Sequence, residues 1–322
     1  MSTRSPTTLE SNSRLPPPEE ERMPATPTPD LVDALCRHRH RTVGSPEHDA
    51  ARDLLHDEFM ARGYERYGDV DWAFPYRHGG HDFVNLVAEI PGTEPELPPI
   101  LIAAHYDTVP GTPGATDNAA SIAVALDVAD RVLAEPLRRS LVLGIFDAEE
   151  PPFFHGPDMG SIKFVANQMD ERAVATMIAL DLIGTDPELD GHLAEFAHAL
   201  PRPLRGMADN RIVAGTLNAT LATKIGVLGA EDDERWKTPI HKASKATNRY
   251  PPLKLPHHLA PDMSDHYAFR ASGYPYLFLS SGMTRHYHEA SDTPDTLNWD
   301  RIHDTTRFVH ALVREANEAF EA

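Results

Sequence analysis

Apolar positions along the chain alternate between short continuous runs and longer amphipathic stretches. The short runs are bounded by turn-forming residues, a pattern typical of strands buried on both faces of a sheet. They predict strands at residues 83–90, 99–105, 141–146, 175–184 and 274–280. Apolar residues at helical spacing predict helices at residues 30–40, 46–62, 118–133, 161–169 and 300–320. Strands that alternate with helices predict an α/β fold, a three-layer α/β/α sandwich around a central, mostly parallel, twisted sheet.

Two segments depart from this pattern. Residues 1–29 contain seven prolines together with many Ser, Thr and Glu residues, which predicts a disordered polar tail. Residues 30–322 are predicted to form a single domain. Within it, residues 186–262 are irregular and Pro-rich, and we expect them to form loops and small elements that cover one end of the sheet and shape substrate specificity.

The composition narrows the choice of partners and ligands. With 49 acidic and 30 basic residues the chain has a formal net charge of −19, which argues against nucleic acid as a partner. The single cysteine, Cys36, excludes an internal disulfide, so any metal site must use His, Asp and Glu. Because no apolar segment is long enough to span a bilayer, we expect a soluble, cytoplasmic protein with no membrane partner.

Ionisable residues follow the predicted strands. In an open α/β sheet, ligands bind beyond the carboxyl ends of the strands. The residues at those ends are His105 and Asp107, then Asp117, then Glu149 and Glu150, then Asp181, and finally His286 and His288, which compete for one role. Each alone has an ordinary explanation, since an Asp before a helix is more often an N-cap than a ligand. Together they predict a metal site.

The adjacent pair Glu149 and Glu150 closes a hydrophobic strand. Two neighbouring carboxylates repel, so a cation is expected beside them, and the alternative is a solvated strand end before the turn at 151–152. Two histidines and three carboxylates can hold two zinc ions if one carboxylate bridges them. One glutamate is then left beside a metal-bound water as a general base, an arrangement suited to amide hydrolysis.

Six segments carry these residues in a fixed order. They are His105-Tyr-Asp107, Gly114-Ala-Thr-Asp117-Asn118, Glu149-Glu150, Asp181, Ser264-Asp265-His266 and Tyr287-His288-Glu-Ala-Ser-Asp292-Thr293. In these segments the chain resembles the di-zinc aminopeptidases of metallopeptidase family twenty-eight. That family includes bacterial leucine aminopeptidases, glutamate carboxypeptidases and, more distantly, glutaminyl cyclases. The resemblance runs from about residue 83 to the C-terminus and implies the zinc-dependent exopeptidase fold.

The resemblance implies a ligand set for two zinc ions per chain. His105 and Asp181 would bind one zinc ion, and Glu150 and His288 would bind the other. Asp117 would bridge the two ions. We prefer His288 to its neighbouring histidine because the Asp-Thr pair that follows it has the family's spacing.

The resemblance also implies roles for residues that do not bind metal. Glu149 would be the general base and later the proton donor to the leaving amine, and Asp107 would orient His105. Asp292 would support the second metal-binding histidine in the same way, or would cap a turn or helix. The family often has a cis peptide bond after its bridging aspartate, which corresponds to residues 117–118 here.

The chain departs from the family pattern after the glutamate pair. Nine residues, 151–159, replace a short connection, and they include Phe153 and Phe154, which would either line a substrate pocket or anchor the loop on the core. A tyrosine that some members place before Ser-Asp-His is absent. Oxyanion stabilisation would then fall to the zinc ions, to His266 or to Tyr287, and Asp265 belongs to the same group of substrate-site candidates.

The leading prediction is a zinc-dependent exopeptidase of the aminopeptidase type that hydrolyses peptides or small amides. The alternative is a glutaminyl-cyclase-like acyltransferase with a single zinc ion on Asp117, Glu150 and His288. The longer loop favours this alternative, whereas Tyr287 stands where those cyclases carry a tryptophan. A non-catalytic binding relative is disfavoured, because such relatives lose ligands and all five ligand positions are filled here.

Overall fold

The described part of the chain comprises residues 28–68, 71–188, 219–220, 222–257 and 262–320 of a computed structural model. The tail predicted at 1–29 lies outside these residues except for its last two, which belong to helix α1 (Thr28–Leu35). Residues 189–218, which form a large part of the region predicted to be irregular, also lie outside the described residues.

Nine strands of the described residues form one mixed sheet. The strands are β1 (Glu65–Arg66), β2 (Ala73–His78), β3 (His81–Ile90), β4 (Ile100–His105), β5 (Leu141–Phe146), β6 (Thr176–Leu180), β7 (Ile225–Leu228), β8 (Pro252–Lys254) and β9 (Tyr276–Ser280). Their order is β1-β3-β5-β4-β6-β9-β7-β8, and β2 pairs with β3. The four central strands, β5, β4, β6 and β9, are parallel, as predicted. Antiparallel pairings add β3 on one side and β7 on the other.

Helices cover both faces of this sheet. They are α2 (Pro46–Arg62), α3 (Ala120–Ala134), α4 (Gly160–Lys163), α5 (Lys237–Ala243), α6 (His266–Ala271) and α7 (Trp299–Ala319). Helix α2 has both predicted ends: the Ser45 hydroxyl accepts a hydrogen bond from the His48 amide, and Gly63 ends the helix with a φ of 73°. Within the described residues no helix is both long and apolar enough to cross a membrane.

The two faces of the central strands build two cores. Alternate residues of β4, such as Ile100 and Ile102, join a large core with α1, α2, α3 and α7. The intervening residues, such as Leu101, pack on the other face with Phe164, which directly follows α4, and with Phe269 of α6. This alternation follows from the two-residue period of a strand and accounts for the continuous apolar runs.

Strands β2, β7 and β8, which lie towards the ends of the sheet, were not predicted. The region 186–262, expected to hold only loops and small elements, contributes β7 and β8, which extend the sheet. Strand β7 has four residues and β8 has three, beginning with Pro252, so neither gives a readable alternation. Strand β2 contains Pro75 and ends in two exposed residues, so the sequence does not show the alternation expected of a strand there.

The sheet brings the chemistry-bearing residues to one edge. His105 is the last residue of β4 and pairs with Phe146, the last residue of β5, so the segments that follow both strands begin side by side. The segment that follows β5 returns to the end of that strand at Gly160, whose amide donates a hydrogen bond to the Asp147 carbonyl at 2.8 Å. A Cβ atom at Gly160 would lie 2.3 Å from Asn85 Oδ1 and 2.4 Å from the Asp147 carbonyl oxygen.

We expect Gly160→Ala to lower the free energy of unfolding by about 3 kcal/mol, because the added methyl group meets backbone that must shift. Gly80→Ala is the control, since Gly80 has open space around it and only the cost of its left-handed φ of 89°, about 1 kcal/mol. Urea unfolding of both variants measures the difference. Equal losses would contradict the close approach at Gly160.

Candidate metal centre

Six His, Asp and Glu side chains gather at the carboxyl ends of the central strands. They form two groups of three, and within each group the potential ligand atoms lie within 4.8 Å of one another. The groups are His105, Glu149 and Asp181, and Asp117, Glu150 and His288. Every ligand residue predicted from the sequence therefore lies in one of the two groups.

Asp117 lies between the two groups. Its Oδ1 is 3.2 Å from His105 Nε2, and its Oδ2 is 3.4 Å from His288 Nε2. It belongs to a tight, non-helical turn before α3, and the Asp117–Asn118 peptide bond is cis, as the family resemblance predicted. One carboxylate thus faces both histidines, which is the geometry that a bridging ligand requires.

The two glutamates diverge into different groups. Glu150 Oε2 lies 3.1 Å from His288 Nε2, whereas Glu149 Oε2 lies 3.8 Å from His105 Nε2. Ala148, directly before the pair, has a φ of 56°, so the chain turns sharply after β5. Neighbouring residues of one segment can therefore serve two different positions.

Asp107 fixes the backbone of this pair. Its Oδ1 accepts the Glu149 amide and its Oδ2 accepts the Glu150 amide, both at 3.0 Å. Asp107 Oδ1 also lies 3.4 Å from His105 Nδ1, in keeping with the predicted orienting role. One buried carboxylate therefore connects a histidine of the first group to both glutamates.

The buried carboxylates of the site need a cation to balance their negative charge. Burial and neighbouring carboxylates raise the pKa of Glu149 well above its usual range and that of Glu150 to about 8. Burial lowers the pKa of His288, but hydrogen bonding to Asp117 and Glu150 outweighs this and raises it to about 10. For Asp117, burial raises the pKa, yet the hydrogen bonds from His105 and His288 outweigh it and lower the pKa.

Two buried atoms of the site, Glu150 Oε1 and Asp181 Oδ1, lack a hydrogen-bond partner among the described residues. The Nε2 atoms of His105 and His288 lie against carboxylates of the site. Buried polar atoms are rarely left in this state without a ligand or ion. Imidazole nitrogen and carboxylate oxygen, with no thiolate, form a donor set that suits zinc. The residues present therefore fit a pair of metal ions.

His266 is packed into the interior between α6 and β9. Its side chain has no exposed surface, and its ring stacks 4.5 Å from Phe278 and 5.5 Å from Tyr276. Its contact with substrate or oxyanion stays a prediction. Asp265, beside it, is 1% exposed, and burial raises its pKa to about 7.

Tyr287 lies next to the metal ligands. Its ring stacks on His288 with 3.8 Å between centroids, and burial, Asp117 and Glu150 raise its pKa well above the usual range. It packs against an apolar cluster that also contains Leu182, the residue after Asp181. Tyr287 thus remains a candidate for substrate contact.

The loop after the glutamate pair uses its two phenylalanines differently. Phe153 packs edge-on against Phe83 with 5.1 Å between centroids, so it anchors the loop on β3, the alternative that the sequence left open. Phe154 is half-buried and stacks on His155, whose ring lies 4.2 Å from Tyr267. Of the two phenylalanines, Phe154 is the one left as a candidate pocket residue.

Two buried residues make contacts near Asp117 that the sequence did not indicate. Asp292, expected to support the second histidine or to cap a turn, accepts the backbone amides of Thr116 and Asp117. Arg41 is buried and donates to the Tyr106 and Gly114 carbonyls, which holds the segment before Asp117. Its place in a basic run of residues 37–41 is typical of a solvated surface, so no sequence signal marked it.

Comparison with known proteins assigns the family. The model of peptidase family M28 matches residues 85–313. The chain therefore belongs to peptidase family M28, as the motif resemblance predicted. The uncharacterized protein YfbL of Escherichia coli (strain K12) is 26% identical over 298 residues, which cover 87% of this chain and 87% of that protein.

Solved structures share the fold. The Legionella pneumophila LapA aminopeptidase superposes with a TM-score of 0.68 at 16% identity, covering 100% of this chain and 80% of that chain. The Bacteroides thetaiotaomicron glutaminyl cyclase gives a TM-score of 0.63 at 16% identity, covering 89% and 96%. At such identities the likeness establishes the α/β architecture alone.

The burial of His266 generates a prediction about stability and pH. Burial lowers its pKa to about 3, below the unfolded value of 6.5, so the unfolded chain binds more protons between these pH values. Stability should therefore fall as pH falls from 6.5 towards 3. We expect chelator-treated His266→Phe protein to lose less stability between pH 7 and 5 than the unmodified protein.

Urea unfolding at both pH values measures this effect, whose slope for one proton is at most about 1.4 kcal/mol per pH unit. His241→Phe, at an exposed position, is the control and should behave like the unmodified protein. Identical pH profiles for all three proteins would show that His266 is not held neutral by burial.

Proposed function

We propose that this protein is a zinc-dependent exopeptidase of the aminopeptidase type. The observation that carries the proposal is the carboxylate of Asp117, whose two oxygens face His105 and His288 in two adjoining ligand groups. Membership of peptidase family M28 supports the reaction class. The fold likeness to the LapA aminopeptidase agrees with it.

The residues divide between two metal positions. His105 and Asp181 would hold one zinc ion, Glu150 and His288 the other, and Asp117 would serve both. Zinc bound there would act as a Lewis acid that polarises the scissile carbonyl and makes water acidic. This chain's own side chains would supply ligand geometry, proton transfer and substrate orientation.

Glu149 would move the proton. Its carboxylate lies within the site, while Asp107 fixes its backbone amide, so the side chain is presented from a rigid segment. Glu149 would accept a proton from the water that attacks the carbonyl and donate it to the leaving amine nitrogen. The burial of Glu149 keeps bulk water away from the carboxylate, which suits a group that must hold a proton between these two steps.

The surroundings suggest the substrate class. The fold likeness to the LapA aminopeptidase favours a substrate with a free amino terminus. Leu182, Met283 and Tyr287 form an apolar cluster that flanks Asp181 and His288 in the chain. We therefore propose peptides or aminoacyl amides whose first side chain is apolar.

Glu149→Gln should retain zinc and lose nearly all hydrolysis, a fall in kcat of at least about 10²-fold, because the amide cannot accept the proton. Glu150→Gln is the matched comparison and should lose zinc affinity as well, since Glu150 is proposed as a ligand. Metal analysis together with hydrolysis of leucine amide tests both variants. Full activity in Glu149→Gln would overturn the assigned base.

A glutaminyl-cyclase-like reaction is the second candidate. The fold likeness to the glutaminyl cyclase and the nine-residue loop at 151–159 favour it. The two candidates differ in metal content, because the predicted cyclase site uses one zinc ion and the peptidase site uses two.

We expect two zinc ions per chain, release of the amino-terminal residue from peptides, loss of activity on chelation and its return with added zinc. Metal analysis by emission spectrometry and a peptide assay followed by mass spectrometry provide the measurements. One zinc ion per chain, with formation of pyroglutamate from an amino-terminal Gln peptide and no hydrolysis, would support the cyclase instead.

A further inference from the structure

We propose that Asp292 is the positioning residue that sets the bridging carboxylate of Asp117 between the two halves of the metal centre. The inference rests on the proposed two-metal site and assigns a role to a carboxylate that belongs to neither ligand group. Asp292 has no exposed surface.

Both carboxylate oxygens of Asp292 are directed at backbone amides. Oδ1 accepts from the Thr116 amide at 2.9 Å, and Oδ2 accepts from the Asp117 amide at 3.1 Å and from Thr116 at 3.2 Å. The Asp292 carbonyl also accepts the Ala115 amide at 3.2 Å. One residue thus binds three successive amides that end at the bridging residue.

Those amides need such a partner. The turn at Ala115–Ala119 is non-helical at Asp117 and Asn118 and begins after Gly114 in the left-handed region. The first amides of a helical segment have no acceptor within their own helix, and buried amides must find one elsewhere. The Asp292 carboxylate meets this need for Thr116 and Asp117.

Asp292 also connects this turn to the second histidine. It lies four residues after His288, and its own amide donates to the Glu289 carbonyl at 3.0 Å, while the Glu289 amide donates to the His286 carbonyl at 3.0 Å. A compact pair of turns therefore separates His288 from Asp292. The segment that presents His288 and the segment that presents Asp117 are held together by one buried carboxylate.

A second contact fixes the other side of the bridge. The Asn118 side-chain amide donates to the Leu180 carbonyl at 3.0 Å, directly before Asp181. Asp117 is thus held between the His288 segment and the Asp181 strand. A ligand shared by two ions has to be placed to within about 0.5 Å for both, so its backbone must be rigid.

Asp292→Asn tests the proposal, because Asn has the same size but presents one NH₂ group where an oxygen now accepts an amide. Asp295→Asn is the control: it removes the same charge three residues away at an exposed position. Zinc affinity for the first and second equivalents is measured by competition with a chromogenic chelator. Thermal unfolding of the metal-free proteins reports on the fold.

We expect Asp292→Asn to weaken both zinc equivalents by about 10–100-fold, the usual effect of losing a partner behind a ligand, with Asp295→Asn unchanged. Unchanged zinc affinity with a lower unfolding temperature would overturn the proposal and leave a purely structural role. Weakening of only one equivalent would also overturn it, since Asp117 would then not serve both ions.

A measurement on the unmodified protein covers the case in which Asp292→Asn does not fold. Amide hydrogen exchange of the metal-free protein should show Thr116 and Asp117 protected, because Asp292 binds them without metal. Free exchange of these amides would overturn the proposal.

Zinc binding separates the failure of this proposal from the failure of the proposed function. If the unmodified protein binds no zinc, the proposed function fails. If the unmodified protein binds two zinc ions and both variants bind them equally well, only the role of Asp292 fails.

Discussion

Crowding of buried carboxylates at one edge of the sheet is the constraint on which the site depends. Asp107, Asp117, Glu149, Glu150 and Asp181 are each no more than 5% exposed. All but Glu150 have a carboxylate oxygen within 4 Å of a His105 ring nitrogen, and Glu150 contacts His288. Such a cluster is unfavourable unless cations, protons or amide donors compensate the charge. The buried carboxylates near this edge are of two kinds. Some face the candidate metal centre, and others accept hydrogen bonds from backbone amides.

The carboxylates that bind backbone give the centre its shape. Asp107 accepts the amides of the glutamate pair, and Asp292 accepts those of Thr116 and Asp117. In both cases a carboxylate from one segment fixes a neighbouring segment that carries a ligand. Charge-assisted hydrogen bonds to amides lower the cost of burying these groups and stiffen the loops that a metal centre needs.

The sequence predicted the central strands and the ligand positions for a physical reason. Strands buried on both faces give continuous apolar runs, and their carboxyl ends share one edge, so the order of His105, Asp117, Glu149, Glu150 and Asp181 implied their proximity. Short strands near the edge of the sheet, such as β7 and β8, leave no such periodicity. Contacts made through backbone amides, as at Asp292, leave no pattern, and the burial of His266 depends on α6 packing against β9.

We propose that the two glutamates have different roles, with Glu150 as a ligand and Glu149 as the free base. Anomalous diffraction at the zinc absorption edge from zinc-loaded crystals would locate the ions relative to both side chains. We expect two peaks on either side of Asp117, one next to His105 and Asp181 and the other next to Glu150 and His288, with Glu149 bound to neither. A single peak, or zinc bound by Glu149 with Glu150 free, would contradict it.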